Sequence, residues 1–436
     1  DERESEQNPR WVALKNWALR QGIRVFDDED GLTIGAGKYG RTWSLSDLPD
    51  PTDLGRWRPI SIPAICITGT NGKTTTSRLL GAIATAAGHT VGMTSSDGVL
   101  INGELAVAGD WTGPGAARMV LRDPSVDFAV LETARGGIMR RGLVIDDYQA
   151  AAVTNVSADH LGDWGVHTAS DMAAVKMSVA NGLASGGVLV RNADCALSMR
   201  APLPKKPIIL QTVSSRKTDS DIYVKNAAIW FKGAQSALID VNDIPLSMGG
   251  AALHNIENAM IAALLARAVG ITDDAIALGL RTVKADAKHS HGRSNLVVKG
   301  NKHFFVDFAH NEDGLRRVVE MALKMQAKRR MLLFGQAGDR NSELLSGLSR
   351  AAAKLNADRY FIKALPNHSY GANPNAVAET LASGLKACGI AAEKISVFSD
   401  EVSAARAAIK ETKNGDLLLL LSHEDVDGLL AMAKNA

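Results

Sequence analysis

Cysteine is scarce in this sequence: Cys66, Cys195 and Cys388 are the three in 436 residues, widely separated, with no CxxC pair. That excludes a disulfide framework and a thiolate zinc site, and it points to a reducing compartment. Charge of one sign is also missing. The 49 Lys and Arg balance 47 Asp and Glu, for a formal net charge of +2, so no strong field for nucleic acid is implied. The short basic stretch 328–330 reads as a solvated helix end. Long hydrophobic runs are absent too. The longest, 259–266, is far too short to cross a bilayer. The polar start, DERESEQNPR, lacks the apolar core of a signal peptide. A cytoplasmic chain is the expectation. There is no internal repeat and no low-complexity segment.

What is present is ordinary enzyme composition, with 46% apolar and 22% charged residues, and length for two or three domains. Residues 1–60 form a short N-terminal segment with one helical pattern, 11–21. From residue 61 apolar strands alternate with helical stretches. Strands are predicted at 64–68, 90–94, 128–131, 150–155 and 188–192, and helices at 74–87 and 168–183. Such alternation predicts an α/β fold with a mostly parallel sheet. Short β runs between 203 and 250 predict a small antiparallel appendage, followed by helices at 255–269 and 273–283. After the polar stretch 284–293 a second α/β unit begins, with strands at 303–308, 331–334, 359–362, 395–398 and 417–421. The expected division is 1–60, a central α/β unit 61–288, and a C-terminal Rossmann-like unit 289–436.

The strongest local signal is ITGTNGKTTT, residues 67–76, between a predicted strand and helix. Gly69 and Gly72 let the backbone wrap a phosphate. The amides of Thr70, Asn71 and Thr75, with the helix N-terminus, supply positive potential. Lys73 reaches the terminal phosphates and the Thr74 hydroxyl suits magnesium. Only two residues separate Gly69 from Gly72-Lys73, so this is a shorter loop than the common phosphate-binding signature. Thr94 and Ser95, at the next strand end, offer further hydroxyls to the ion. Strand-end turn residues are the plainer reading of these two.

That shorter loop resembles the one in Mur ligases and folylpolyglutamate synthetases. VTNVSADHLG (153–162), HNIENAMIAA (254–263), VDFAHNEDGL (306–315) and GQAGDR (335–340) resemble later motifs of the Mur ligase family in the same order. VGMTSSDGVLING, DWTGPGAARMVLRDPSVDFAVLETARGGIMRRGL and the DHLG segment are most similar to the Mur-like ligase region of cyanophycin synthetases. These 436 residues leave no room for an ATP-grasp region, so a stand-alone ligase is expected. One departure is Glu312, where the family pattern has proline.

The resemblance implies an ATP- and Mg2+-dependent ligase that joins a carboxylate to an amine through an acyl phosphate. It implies Glu132 as a magnesium ligand beside Thr74, and His160 at a second ion. It places Lys176 at about the position of a lysine carbamylated in several Mur ligases, where that group would reach the second ion; a helix-surface lysine is the alternative. Asn255 and Asn258 would lie beside adenine, Arg293 at the γ-phosphate, Asp307 at the ribose and His310 near the acceptor. Arg135, Gly136, Gly137 and Arg140 are the candidates for acceptor recognition, since glycines permit close approach and guanidinium groups bind carboxylate. A solvated basic loop would look the same. The expected partners are a small-molecule or peptide carboxylate and an amine, with no nucleic acid and no membrane; a homo-oligomer is left open. The competing readings are a folylpolyglutamate-synthetase-type ligase and a regulatory Mur-like subunit that needs a partner.

Overall fold

Buried apolar strands that alternate with helices are accommodated by a twisted parallel sheet covered on both faces. The computed structural model describes residues 8–28, 31–55, 57, 61–158, 162 and 164–436. Among these the chain builds three sheets.

The first is small. Strands β1 (Val25–Asp28), β2 (Gly31–Ile34) and β3 (Arg41–Trp43) pair antiparallel under helix Pro9–Arg20. Asn8 caps that helix by accepting from the Trp11 amide, and proline opens it. Leu14, Ala18, Leu32 and Ile34 fill the interior. Trp57 stacks on Trp17 at 6.3 Å and takes Trp43 edge-on at 5.9 Å. The sequence predicted one helix here; three strands accompany it. Arg24 ties this unit to the next by donating to Asp147 at 2.8 Å.

The central sheet comprises β4 (Ala64–Thr68), β5 (Val91–Ser95), β6 (Gly98–Ile101), β7 (Glu104–Ala108), β8 (Phe128–Glu132), β9 (Tyr148–Val153), β10 (Leu183–Asn192), β11 (Ile209–Ser214), β12 (Ile222–Lys225), β13 (Ala228–Phe231) and β14 (Ile239–Asp240). Their order is β14-β13-β12-β11-β10-β9-β4-β8-β5-β6-β7. From β12 to β5 the neighbours run parallel, and both margins turn antiparallel. The short strands of 203–250 therefore do include an antiparallel run, β12-β13-β14, but it continues the central sheet. Strand β11 joins β10 in parallel. Helix Leu253–Ala268 is buried from Asn255 to Ala266: residues 259–266 are apolar all round, and Asn255, Glu257 and Asn258 are buried with hydrogen-bond partners. It packs on helix Lys73–Ala86.

The third sheet contains β15 (Asn295–Lys299), β16 (Lys302–Asp307), β17 (Arg330–Gly335), β18 (Arg359–Lys363), β19 (Ile395–Phe398) and β20 (Leu417–Leu421), in the order β15-β16-β20-β17-β18-β19. All pairs except β15–β16 are parallel. Five consecutive buried leucines make β20 the central strand, covered on both faces.

Polar contacts join the second and third units. Arg317 donates to Glu257 at 2.8 Å and to Asp313 at 3.1 Å. Glu257 also accepts from Asn192 and Ser215. Arg78 donates to the His291 carbonyl and to Asp97. Among the described residues no helix is long and apolar enough to cross a membrane.

Removing one partner of a buried ion pair leaves the other charge uncompensated. Arg317→Ala should therefore lower the unfolding free energy by roughly 3 kcal/mol, measured by urea denaturation. A change below about 0.5 kcal/mol, the scale of an ordinary surface substitution, would show that this joint contributes little.

Candidate active site

Strand β4 lies between β8 and β9, with Ile67 opposite Glu132 and Thr68 opposite Val153. Three parallel strands thus end at one edge, where open α/β sheets place ligands. The bend after β4 is braced from the end of β9. Asn155 accepts from the Asn71 amide and donates to the Asn71 carbonyl, both at 2.9 Å. Thr154 Oγ1 donates to the same carbonyl at 2.6 Å, and the Thr70 amide donates to the Asn155 carbonyl. Two glycines are sterically required. At Gly69 (φ +152°) a Cβ would lie 1.8 Å from Thr154 Oγ1, and at Gly72 (φ +84°) 2.3 Å from Asn258 Oδ1. Lys73 donates to the Thr70 carbonyl at 3.1 Å.

Glu132 ends β8, 2% exposed. Neither carboxylate oxygen has a well-formed hydrogen bond among the described residues. Burial raises its carboxyl above the usual range, against the pull of Lys73, the nearby Thr74 hydroxyl and Arg293. A buried, under-partnered carboxylate beside a hydroxyl fits a divalent cation. Among the described residues no three His, Cys, Asp or Glu cluster as a metal cage.

One cavity, of about 220 Å³, runs from the phosphate loop between the second and third units. It brings together Thr70, Asn71, Gly72, Lys73, Thr74, Thr75, Glu132, Asn255, Asn258, Arg293, Asp307 and His310. Asn258 donates to Asn255 Oδ1, whose amide donates to Leu246 O and Ser294 Oγ. Arg293 lies 4.3 Å over the Phe308 ring. Asp307 accepts from the amides of Ser294 and Ala309 at 2.7 and 2.9 Å, and burial raises its carboxyl. His254 also lines this cavity; burial, with Arg317 nearby, lowers it to about 3, so it is neutral.

A second cavity, of about 510 Å³, holds Arg135, Gly136, Gly137, Arg140, Lys176 and His310, with Trp111 and Arg141. Lys176 is 5% exposed and donates to the Gly69 carbonyl at 2.8 Å, so it is no helix-surface lysine. The two cavities share Thr70, Lys73, Asp110, Thr112, Ala134 and His310.

Thr94 lies outside both cavity linings: it is fully buried, and its hydroxyl donates to the Glu132 carbonyl at 3.3 Å. Ser95 donates to Gly98 O. Ser96 lines the cleft instead, 3.1 Å from Thr74 Oγ1 and 3.5 Å from Arg293 Nη2. The strand runs one residue past its predicted end, which shifts the turn. His160 lies outside the described residues. Asn155 and Asp110 were not singled out from sequence, although both fall within motifs quoted above.

This geometry defines a phosphate-loop α/β protein whose second parallel sheet closes over the loop. Models of the Mur ligase middle domain and of the Mur ligase glutamate ligase domain match residues 67–266 and 292–423. The chain belongs to the Mur ligase family. It is 39% identical over 319 residues to a cyanophycin synthetase of Crocosphaera subtropica, covering 70% of this chain and 36% of the relative. Against that of Geminocystis herdmanii it is 33% identical over 387 residues, 86% of this chain and 44% of the relative. The chain thus spans less than half the length of these relatives. In fold it resembles E. coli FolC in complex with DHPP and ADP, with a TM-score of 0.63, 18% identity, and coverage of 86% of this chain and 88% of that one.

Because Glu132 holds its proton more tightly folded than unfolded, it penalises folding once pH rises above the ordinary carboxylate range. Glu132→Gln should raise the Tm of the nucleotide-free protein by about 1 °C or more at pH 8. The gain should be smaller at pH 5, as followed by calorimetry. A Tm lowered at both pH values would contradict the burial argument.

Proposed function

We propose that the protein is an ATP-dependent ligase that forms an amide bond between a carboxylate and an amine, with release of ADP and phosphate. The observation that carries this reading is the meeting of two cavities at Lys73, one suited to a nucleotide and the other walled by guanidinium groups. A carboxylate is a poor electrophile. Its oxygen attacks the γ-phosphorus of ATP, the bond to the β-phosphate oxygen breaks, and ADP leaves. The amine then attacks the acyl carbon, and phosphate departs with the former carboxylate oxygen while the nitrogen loses its proton.

In this reading the protein works by position and charge. The amides of the 69–75 bend and Lys73 neutralise the phosphates. Arg293 meets the terminal phosphate, Asn255 and Asn258 lie beside the base, and Asp307 binds the ribose. Mg2+ would be held by Glu132 and Thr74 and would offset phosphate charge. Lys176 fixes the Gly69 carbonyl, and carbamylation would exchange that cation for oxygen ligands. Arg135, Gly136, Gly137 and Arg140 receive the acceptor, and the amine enters across the Asp110–His310 junction. Residues 61–288 serve as the nucleotide-binding unit and 289–436 as the unit that closes on it.

The relatives named cyanophycin synthetase support an amino acid or peptide ligase acting on an aspartyl or similar small carboxylate. The free thiols Cys66, Cys195 and Cys388 support a cytoplasmic setting, and burial pushes the Cys66 thiol up to about 12. The likeness to FolC is one of fold and does not carry a folate substrate.

ADP release, screened over paired carboxylates and amines with mass detection of the product, tests the reading. Lys73→Ala should reduce turnover by at least 100-fold, the scale of one lost transition-state donor, with an unchanged circular dichroism spectrum. Wild-type ADP release by that variant would refute the assignment.

A further inference from the structure

We propose that the buried ion pair Lys363–Glu401 is a positioning device for the nucleotide cleft: it fixes the turn 422–425, and through it the Phe308–Arg293 stack at the phosphate end. This rests on the ligase reading in one respect, the assignment of Arg293 to the terminal phosphate.

Lys363 and Glu401 are 0% and 2% exposed and lie outside both cavity linings. Charges so deep are costly, and apolar residues of like volume would often serve packing as well or better. The question is what the charges hold. Lys363 ends β18, and its ammonium contacts both Glu401 and the carbonyl of Leu421, where β20 stops. Glu401 opens helix Glu401–Glu411. Its carboxylate accepts from Ser422 Oγ at 2.8 Å, from the amide of His423 at 2.8 Å, and from that of Asp425 at 2.9 Å. The Glu424 amide lies 3.3 Å from both oxygens. Four consecutive residues thus converge on one carboxylate. Burial alone would raise the Glu401 carboxyl; Lys363 and these amides more than reverse that, so it stays ionised.

The turn so gathered presses on the cleft from behind. The Ser422 amide donates to the Asp307 carbonyl at 2.8 Å. His423 Nε2 donates to the Ala309 carbonyl at 3.2 Å, and its ring meets Phe308 edge-on at 5.4 Å. Phe308 in turn carries the Arg293 guanidinium, and Arg293 reaches Ser96, the neighbour of Thr74. His310 closes the segment by donating from Nδ1 to the Phe308 carbonyl at 3.0 Å. Segment 307–310 supplies four cleft residues, and three of them are touched by this turn. An apolar pair in place of Lys363 and Glu401 would fill the space but leave three amides of the turn without an acceptor.

The experiment measures, by calorimetry with Mg2+, the affinity for ADP and for a non-hydrolysable ATP analogue. Their ratio reports the grip on the terminal phosphate and needs no turnover. In the wild type the analogue should be preferred, and Arg293→Ala should reduce that preference. Glu401→Gln and His423→Ala should each reduce it at least threefold, with ADP affinity held within about twofold, a split that loss of packing alone would not produce. Should Glu401→Gln fail to fold, His423→Ala decides alone, since it leaves the ion pair in place. An unchanged preference in the turn variants beside a reduced one in Arg293→Ala overturns the positioning role only. An unchanged preference in Arg293→Ala overturns the phosphate role of that arginine, and the proposal with it.

Discussion

Backbone amides can hold a phosphate only where the chain turns toward it and no side chain fills the space, and here that requirement reaches far beyond the bend itself. The room that Gly69 and Gly72 leave empty is bounded by Thr154 Oγ1 and Asn258 Oδ1. One lies past the end of β9 and the other within helix Leu253–Ala268. The bend is therefore only as well formed as the packing of that helix and the register of β4 against β9 allow. Asn155 completes the frame by bonding both the amide and the carbonyl of Asn71. A loop of few residues thus depends on elements more than 180 positions apart in the chain.

Charge follows the same plan. Cations gather where the phosphate loop meets the two cavities, with Lys73, Lys176 and Arg293 all near it. Against them stands Glu132, desolvated and short of hydrogen bonds. In the low-dielectric strand end that carboxylate is uncomfortable by itself, and under the proposed function a divalent ion sharing phosphate oxygens would relieve it. A ligand that compensated this charge would stabilise the conformation that binds it.

Much of this was legible in the sequence, for reasons that are local. Glycine spacing between a strand and a helix announces a phosphate loop, and an acid at the end of an apolar run marks a strand end. What was hidden depends on tertiary pairing. The choice between Thr94 and Ser96 turns on whether β5 ends one residue sooner or later, which apolar pattern does not resolve. The short strands of 203–250 gave no sign of which margin they would extend. The sequence left Lys176 open between a site lysine and a helix-surface one and singled out nothing at Lys363, because burial of an ammonium is decided by a carbonyl or carboxylate 107 or 38 positions away. The N-terminal tryptophans revealed neither their stacking nor the strands beneath them.

The reciprocal amide pair at the joint between sheets has its own consequence. Asn71 donates to Asn311 at 3.1 Å and accepts from it at 3.0 Å, while Asn311 also caps helix Glu312–Lys324 through the Gly314 amide. One residue of the phosphate bend and one helix cap are therefore a single hydrogen-bonded unit. Any separation of the two sheets would break this pair at the bend, so the shape of the bend and the seating of the C-terminal sheet depend on the same two hydrogen bonds. The Asn71 side-chain amide also donates to the Asp313 carboxylate at 3.2 Å, which in turn accepts from Arg316 and Arg317, so the bend is tied through one side chain to the arginine cluster beside it.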